Sequence, residues 1–167
     1  GVDVTVYERE AKGGGLMTFG VAGYKVDEAF CKDEVDHILA VGGIDIHYNS
    51  AVGEKIQLAE LQKKYDAVFM GIGLGATRKL GVPGEDMAGV VDAISYIYDI
   101  RTKDRSRIPV GERVAVIGMG MTAIDAARQS RRLGAAEVTM VYRRTEKEKP
   151  ATDKEFDGAK LDGSKTI

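Results

Sequence analysis

Apolar positions along the first half of the chain change period several times. In DVTVYE, residues 3–8, Val4, Val6 and Tyr7 follow the near-alternation of a buried strand, and the stretch ends on the carboxylate of Glu8. KGGGLMTFGVAGYK, residues 12–25, is too glycine-rich for a regular element and reads as a loop whose backbone can approach a ligand closely. Val26, Phe30, Val35, Ile38 and Leu39 recur near helical spacing, which predicts a helix from about Asp27 to Val41 stopped by Gly42 and Gly43. IDIHYN at 44–49 alternates like a strand, and IQLAELQKKY at 56–65 reads as a short amphipathic helix. DAVFMGIG at 66–73 is an unbroken apolar run, the pattern of a fully buried strand.

Residues 74–89, LGATRKLGVPGEDMAG, have no apolar period and are expected to form a crossover or linker, followed by a helix over about 91–101. The most informative stretch is ERVAVIGMGMTAIDAARQSRRLGAAEVTMVYRR, residues 112–144. It contains the strand VAVIG, a glycine turn, an alanine-rich helix capped by Gly134 and the strand VTMVY, which together predict one βαβ unit. The polar remainder offers only 153–160 as a helix and no third strand. The expected fold class is α/β, with Rossmann-like three-layer nucleotide-binding units in two partial domains. Residues 1–90 read as an FAD-type domain without its first strand and glycine turn, 91–108 as a linker helix and loop, and 109–167 as part of an NAD(P)-type domain.

Composition narrows the chemistry. With 24 basic and 26 acidic residues among 167, the net charge of −2 gives no electrostatic case for nucleic acid or a membrane surface. The basic run RTKDRSR at 101–107 is broken by Asp104 and reads as solvated. Cys31 is the only cysteine, so the chain has no internal disulfide and no thiolate metal centre, and its helical setting predicts a half-buried thiol. His37 and His47 fall on different elements without metal-ligand spacing, so no metal site is expected. No apolar run approaches the ~20 residues of a membrane span and no signal-peptide pattern opens the chain, which points to the cytoplasm.

Gly118-Met119-Gly120-Met121-Thr122-Ala123 matches G-x-G-x-x-A between a strand and a helix. In that setting the first glycine makes the tight turn, the second clears space for a pyrophosphate and Ala123 lets helix and sheet pack closely, while the helix aims free N–H groups at the phosphates. The alternative is a tight strand-to-helix turn with no ligand. Beyond the next strand, Arg143 and Arg144 stand where an NAD site would carry an acid; their planar donors suit a 2′-phosphate, unless they simply pair with Glu146 or Glu148. Glu8 occupies the same place after the opening strand, where a carboxylate suits an unphosphorylated ribose such as that of FAD. Two different nucleotides are implied.

With these motifs, the chain resembles the flavin and pyridine-nucleotide module shared by the glutamate synthase small subunit and dihydropyrimidine dehydrogenase. The likeness runs from VTVYE through GGGLMTFGVAGYK, IDIHYNSAVG, YDAVFMGIGLG, LGVPGED and GVVDAISYI to the βαβ unit. GVAGYK and AVGGI look nearest to the flavin subunit of bacterial NAD-dependent dihydropyrimidine dehydrogenase. The resemblance implies an oxidoreductase in which NAD(P)H reduces FAD and electrons pass through iron-sulfur clusters to a partner active site, with no catalytic acid or base in this chain. It implies Glu8 on the FAD ribose, Gly14, Gly15 and Leu16 along the FAD, and Val52 near the adenine. It also implies Gly118, Gly120, Thr122 and Ala123 at the dinucleotide pyrophosphate and Arg143 and Arg144 at its adenosine end.

The flavin-side G-x-G-x-x-G turn, the cysteine-rich cluster domain and the C-terminal completion of both nucleotide domains do not occur in these residues, so the sequence reads as an internal fragment. The expected partners are the remainder of the flavoprotein and an iron-sulfur or FMN-containing catalytic subunit; the strand edge left open between DVTVYE and DAVFMGIG is expected to be met either by strand exchange with a second copy or by direct closure of the one against the other. The alternative function is a dinucleotide-binding fragment that never sees flavin. Arginines favour NADP whereas the nearest likeness is NAD-dependent, so the cofactor is left as NAD(P).

Overall fold

The computed structural model describes residues 1–75 and 77–167; Ala76, inside the stretch expected to be a linker, lies outside the described residues. The chain divides into two compact units, one of residues 1–18 with 23–75, the other of 19–22 with 77–167.

The first unit is built on strands β1, Val4–Tyr7, and β2, Ile44–His47, paired in parallel with Val4 opposite Ile44 and Tyr7 opposite His47. Between them come a one-turn helix α1, Gly15–Phe19, whose last residue belongs to the other unit, and α2, Glu28–Leu39. Helix α2 starts where the sequence predicts, because the Asp27 carboxylate accepts the Phe30 N–H at 2.8 Å and supplies one of the acceptors that the first turn lacks. Helix α3, Leu58–Lys64, follows.

Three expectations for this unit are corrected. The segment 12–25 is not wholly a loop, since the Thr18 hydroxyl donates to Gly13 O at 2.8 Å and fastens the turn of α1. The opening strand is only half covered, with Val4 and Val6 still 40% and 37% exposed. Residues 66–73 form no strand, and Phe69 and Ile72 are 95% and 81% exposed. A buried parallel strand takes both its hydrogen bonds and its cover from neighbours, and among the described residues no strand stands beside this one. Cys31, expected half-buried, is buried, its Sγ 3.4 Å from Met17 O.

The second unit contains α4, Ala93–Thr102, then β3, Arg113–Ile117, α5, Met121–Leu133, and β4, Glu137–Val141. After these come α6, Asp153–Leu161, and a two-residue strand β5, Lys165–Thr166. All three strands are parallel in the order β3-β4-β5. The expectation that no third strand would appear is therefore corrected: Tyr142 N–H donates to Ile167 O and Ile167 N–H to Met140 O, both at 3.0 Å. Its brevity and polarity hide it from any periodicity argument.

Helix α5 packs against β3, β4, α4 and α6. Ile124, Ala127, Val138, Met140 and Ala159 are fully buried in the resulting core. The helix ends at Gly134, whose left-handed conformation (φ 108°, ψ 11°) lets its N–H bond back to Arg131 O. Arg128 Nε donates to Asp162 Oδ2 at 2.7 Å and Arg131 Nε to Asp162 O at 2.9 Å, closing α6 onto α5.

Candidate functional site

In the second unit the glycine turn lies between β3 and α5. Gly118 has φ of +119°, a conformation that side-chain-bearing residues rarely adopt, and its N–H donates to Val141 O at 2.8 Å. The turn is thus tied to the end of β4, two residues before Arg143. Gly120 is different. As N-cap of α5 it has φ −84° and ψ 175°, which any residue can adopt, and a Cβ there would meet open space. Nothing in the protein's own backbone or packing calls for glycine at 120. That open space adjoins the first turn of α5, whose N–H groups lack intrahelical acceptors. Thr122 is exposed at this turn, whereas Ala123 is buried, 3.6 Å from where a Gly118 Cβ would lie.

Arg143 and Arg144 follow β4, both exposed. Neither carboxylate suggested as a neutralising partner is directed to them. Glu146 accepts from Lys160 Nζ at 2.9 Å and from the Thr166 hydroxyl at 2.8 Å, contacts that hold its carboxyl below the usual range. Glu148 Oε2 accepts from the Thr145 N–H and hydroxyl at 3.2 and 3.0 Å, a capping box around a short 3-10 turn. The Tyr142 hydroxyl donates to Glu148 O at 3.1 Å, and Ala151 N–H donates to Met119 O at 3.2 Å. The loop that carries the arginines is therefore fastened at its far end to the glycine turn itself. The sequence suggests Glu146 and Glu148 only as partners of the arginines and gives Tyr142 and Thr145 no role; the T-x-x-E spacing at 145–148 is the one signal that could have found part of this device.

In the first unit, Glu8 ends β1 and is half-buried, and its Oε1 accepts the Glu10 N–H at 2.8 Å. The turns after the two strands are joined where Ser50 N–H donates to Glu8 O at 2.8 Å and Asn49 N–H to Glu10 O at 3.0 Å, with Asn49 at φ +53°. Val52 lies two residues on, in an isolated bridge to Ile56. A Cβ on Gly13 would lie 3.3 Å from the Tyr48 hydroxyl, and one on Gly14 would collide with the Thr18 hydroxyl at 2.2 Å. Those glycines are accounted for by close packing. Gly15 and Leu16 begin α1 and are exposed. Among the described residues no group of three or more His, Cys, Asp or Glu could hold a metal ion, and no helix is long and apolar enough to cross a membrane.

The chain is similar in sequence to named oxidoreductase subunits. It is 36% identical over 165 residues to the NADP(+)-dependent formate dehydrogenase subunit beta of Moorella thermoacetica, covering 98% of this chain and 23% of that protein. It is 34% identical over 172 residues to the glutamate synthase [NADPH] small chain of Escherichia coli (strain K12), covering 98% of this chain and 36% of that one. Among solved structures, FprA of Mycobacterium tuberculosis in complex with NADPH matches at TM-score 0.79 and 28% identity, over 95% of this chain and 41% of that chain. The chain thus spans less than half the length of these proteins. The pyridine nucleotide-disulphide oxidoreductase family matches residues 2–161, and the chain, a mixed α/β protein with parallel sheets, belongs to that family.

Proposed function

We propose that this chain is the nucleotide-binding part of a flavoprotein oxidoreductase that passes hydride from NAD(P)H to FAD and sends electrons onward to a partner active site of glutamate synthase or dihydropyrimidine dehydrogenase type. Gly118, Gly120, Thr122 and Ala123 receive the dinucleotide pyrophosphate at the start of α5. Arg143 and Arg144 receive the adenosine end, with preference for the phosphorylated ribose of NADPH. Glu8, Gly14, Gly15, Leu16 and Val52 serve the FAD. The redox chemistry is supplied by the two cofactors when bound, and the protein's part is to bind and orient them. Iron-sulfur clusters belong to partner regions.

The observation that carries this reading is Gly120, a glycine required by neither backbone nor packing, whose Cβ position opens onto clear space at the N-cap of α5. NADPH-linked relatives support the arginine assignment. A second reading, a dinucleotide-binding module without flavin, is favoured by the thin cover of the first unit, where Val4, Val6 and Phe69 stay exposed.

Calorimetric titration of the chain and of Gly120→Val with NADPH, NADH and FAD tests both readings. NADPH is expected to bind more tightly than NADH, and FAD weakly or not at all, because the flavin-side glycine turn that would face its pyrophosphate is not among these residues. The valine, which fits the fold because its space is open, is expected to lower dinucleotide affinity at least about tenfold by occupying the pyrophosphate position. Unchanged affinity in the variant would remove the site assignment, and stoichiometric FAD binding would remove the second reading.

A further inference from the structure

The loop 143–149, RRTEKEK, contains four cations and two carboxylates, yet its charges are sorted rather than mixed. Glu146 is drawn away by two contacts from different elements, Lys160 on α6 and Thr166 on β5. Glu148 is absorbed into the capping box with Thr145. Lys149 is paired with Asp153 at 2.6 Å and lies over the Phe156 ring at 5.0 Å. Arg143, Arg144 and Lys147 are left exposed, and among the described residues none of the three has an ion-pair partner.

An exposed arginine two or three residues from a free glutamate is within reach of it, and a carboxylate paired there, at up to about 1 kcal/mol or about fivefold in affinity, would compete with any phosphate for the same donors. We propose that Glu146 is a specificity-positioning residue: by tethering its carboxylate to Lys160 and Thr166, the fold withholds it from Arg143, Arg144 and Lys147, and so reserves this cationic loop for a phosphorylated ribose over an unphosphorylated one. The tether uses β5, the strand invisible in the sequence, and so gives those two residues a role beyond the sheet. The inference rests on the dinucleotide site proposed above and adds what sets its choice between NADPH and NADH.

The test frees the carboxylate without removing it. In Lys160→Met/Thr166→Val, NADPH affinity is expected to fall about fivefold, the scale of one exposed charge pair, while NADH affinity stays within about twofold. Adding Glu146→Gln to that pair is expected to restore NADPH binding to within about twofold of the unaltered chain, a rescue that lost packing could not give. Thr166→Val alone, a change that a strand accommodates, shifts the NADPH-to-NADH ratio in the same direction by about twofold. Equal losses for both nucleotides, no rescue by Glu146→Gln, or an unmoved ratio in Thr166→Val would each overturn the inference. If the unaltered chain binds neither nucleotide, the site itself fails and this inference with it.

Discussion

Helices α2 and α5 each follow the first strand of a parallel pair, yet α5 buries Ala123, Ile124, Asp125, Ala126, Ala127, Gln129 and Ser130, whereas α2 buries only Cys31. The difference lies less in the helices than in what surrounds them. Helix α5 has β3 and β4 on one side and α4 and α6 on the other, with Tyr96 reaching Ser130 at 3.3 Å and Arg128 reaching Asp162 at 2.7 Å. Strand β1 has β2 as its sole ladder partner among the described residues, and Phe30 and Ile38 on α2 remain 50% and 56% exposed. An amphipathic pattern stabilises a helix only through the layer that covers it. The comparison assigns the chain's stability mainly to the second unit, where the candidate dinucleotide site is held.

The widest separation between the two units is expected from paired core and surface substitutions. Ile124→Ala, at a fully buried position, should destabilise the second unit by about 2–5 kcal/mol through lost burial and a residual cavity. Phe69→Ser, in the run that the sequence presents as a buried strand, should change stability by no more than about 0.5 kcal/mol because the ring is 95% exposed. Chemical denaturation of both variants decides the matter. A loss of several kcal/mol at Phe69 would mean that residues 66–73 are packed in solution and that the contrast between the units is false.

That segment also marks where sequence reading stops. In the βαβ unit, strand alternation, the glycine turn, the Gly134 cap and the apolar face of α5 all point the same way, and the structure follows them. The run DAVFMGIG tells what its side chains would gain by burial, but not whether a neighbour exists to bury them. Strand β5 fails to show for the opposite reason: its two polar residues have no period, and only its pairing with β4 defines it. The turn was legible at Gly118 because its backbone geometry dictates residue type, and at Gly120 only through the G-x-G-x-x-A spacing between a strand and a helix. The contacts of Glu146 with Lys160 and Thr166 were not, since they join residues 14 and 20 positions apart through the tertiary fold.

A smaller effect is expected at the end of α5. Gly134→Ala places a Cβ on a left-handed cap and should cost about 1 kcal/mol, read as a lowered denaturation midpoint with the slope unchanged. Because no atom stands within 4 Å of that Cβ position, the cost comes from the backbone alone. Gly134→Asn, which tolerates this conformation better, should recover part of the loss. If alanine and asparagine are equally harmless, the cap contributes nothing to the firmness of the second unit, and its advantage must come from side-chain packing only.

The smallest expected effect concerns how β5 is held. Lys165 Nζ donates to Glu137 Oε1 at 2.7 Å across the β4-β5 pair, and this hydrogen bond, followed by the lysine's charge, holds the Glu137 carboxyl below its ordinary range. A carboxylate depressed in the folded state contributes stability that is present above its unfolded value of about 4.3 and is lost as pH falls through the lower folded value. Glu137→Gln removes that contribution. Denaturation curves of the two proteins should therefore differ by a small constant amount near neutrality and converge as the pH drops below the ordinary carboxylate range. A difference that persists unchanged into acid would show that glutamine disturbs the strand rather than the charge. If the difference instead appears only in acid, the sign is reversed and Lys165 does not stabilise the ionised form. Convergence, by contrast, would show that an exposed ion pair helps fasten the short strand on which the tether of Glu146 depends, a form of support that the open edge of β1 has no counterpart for among the described residues.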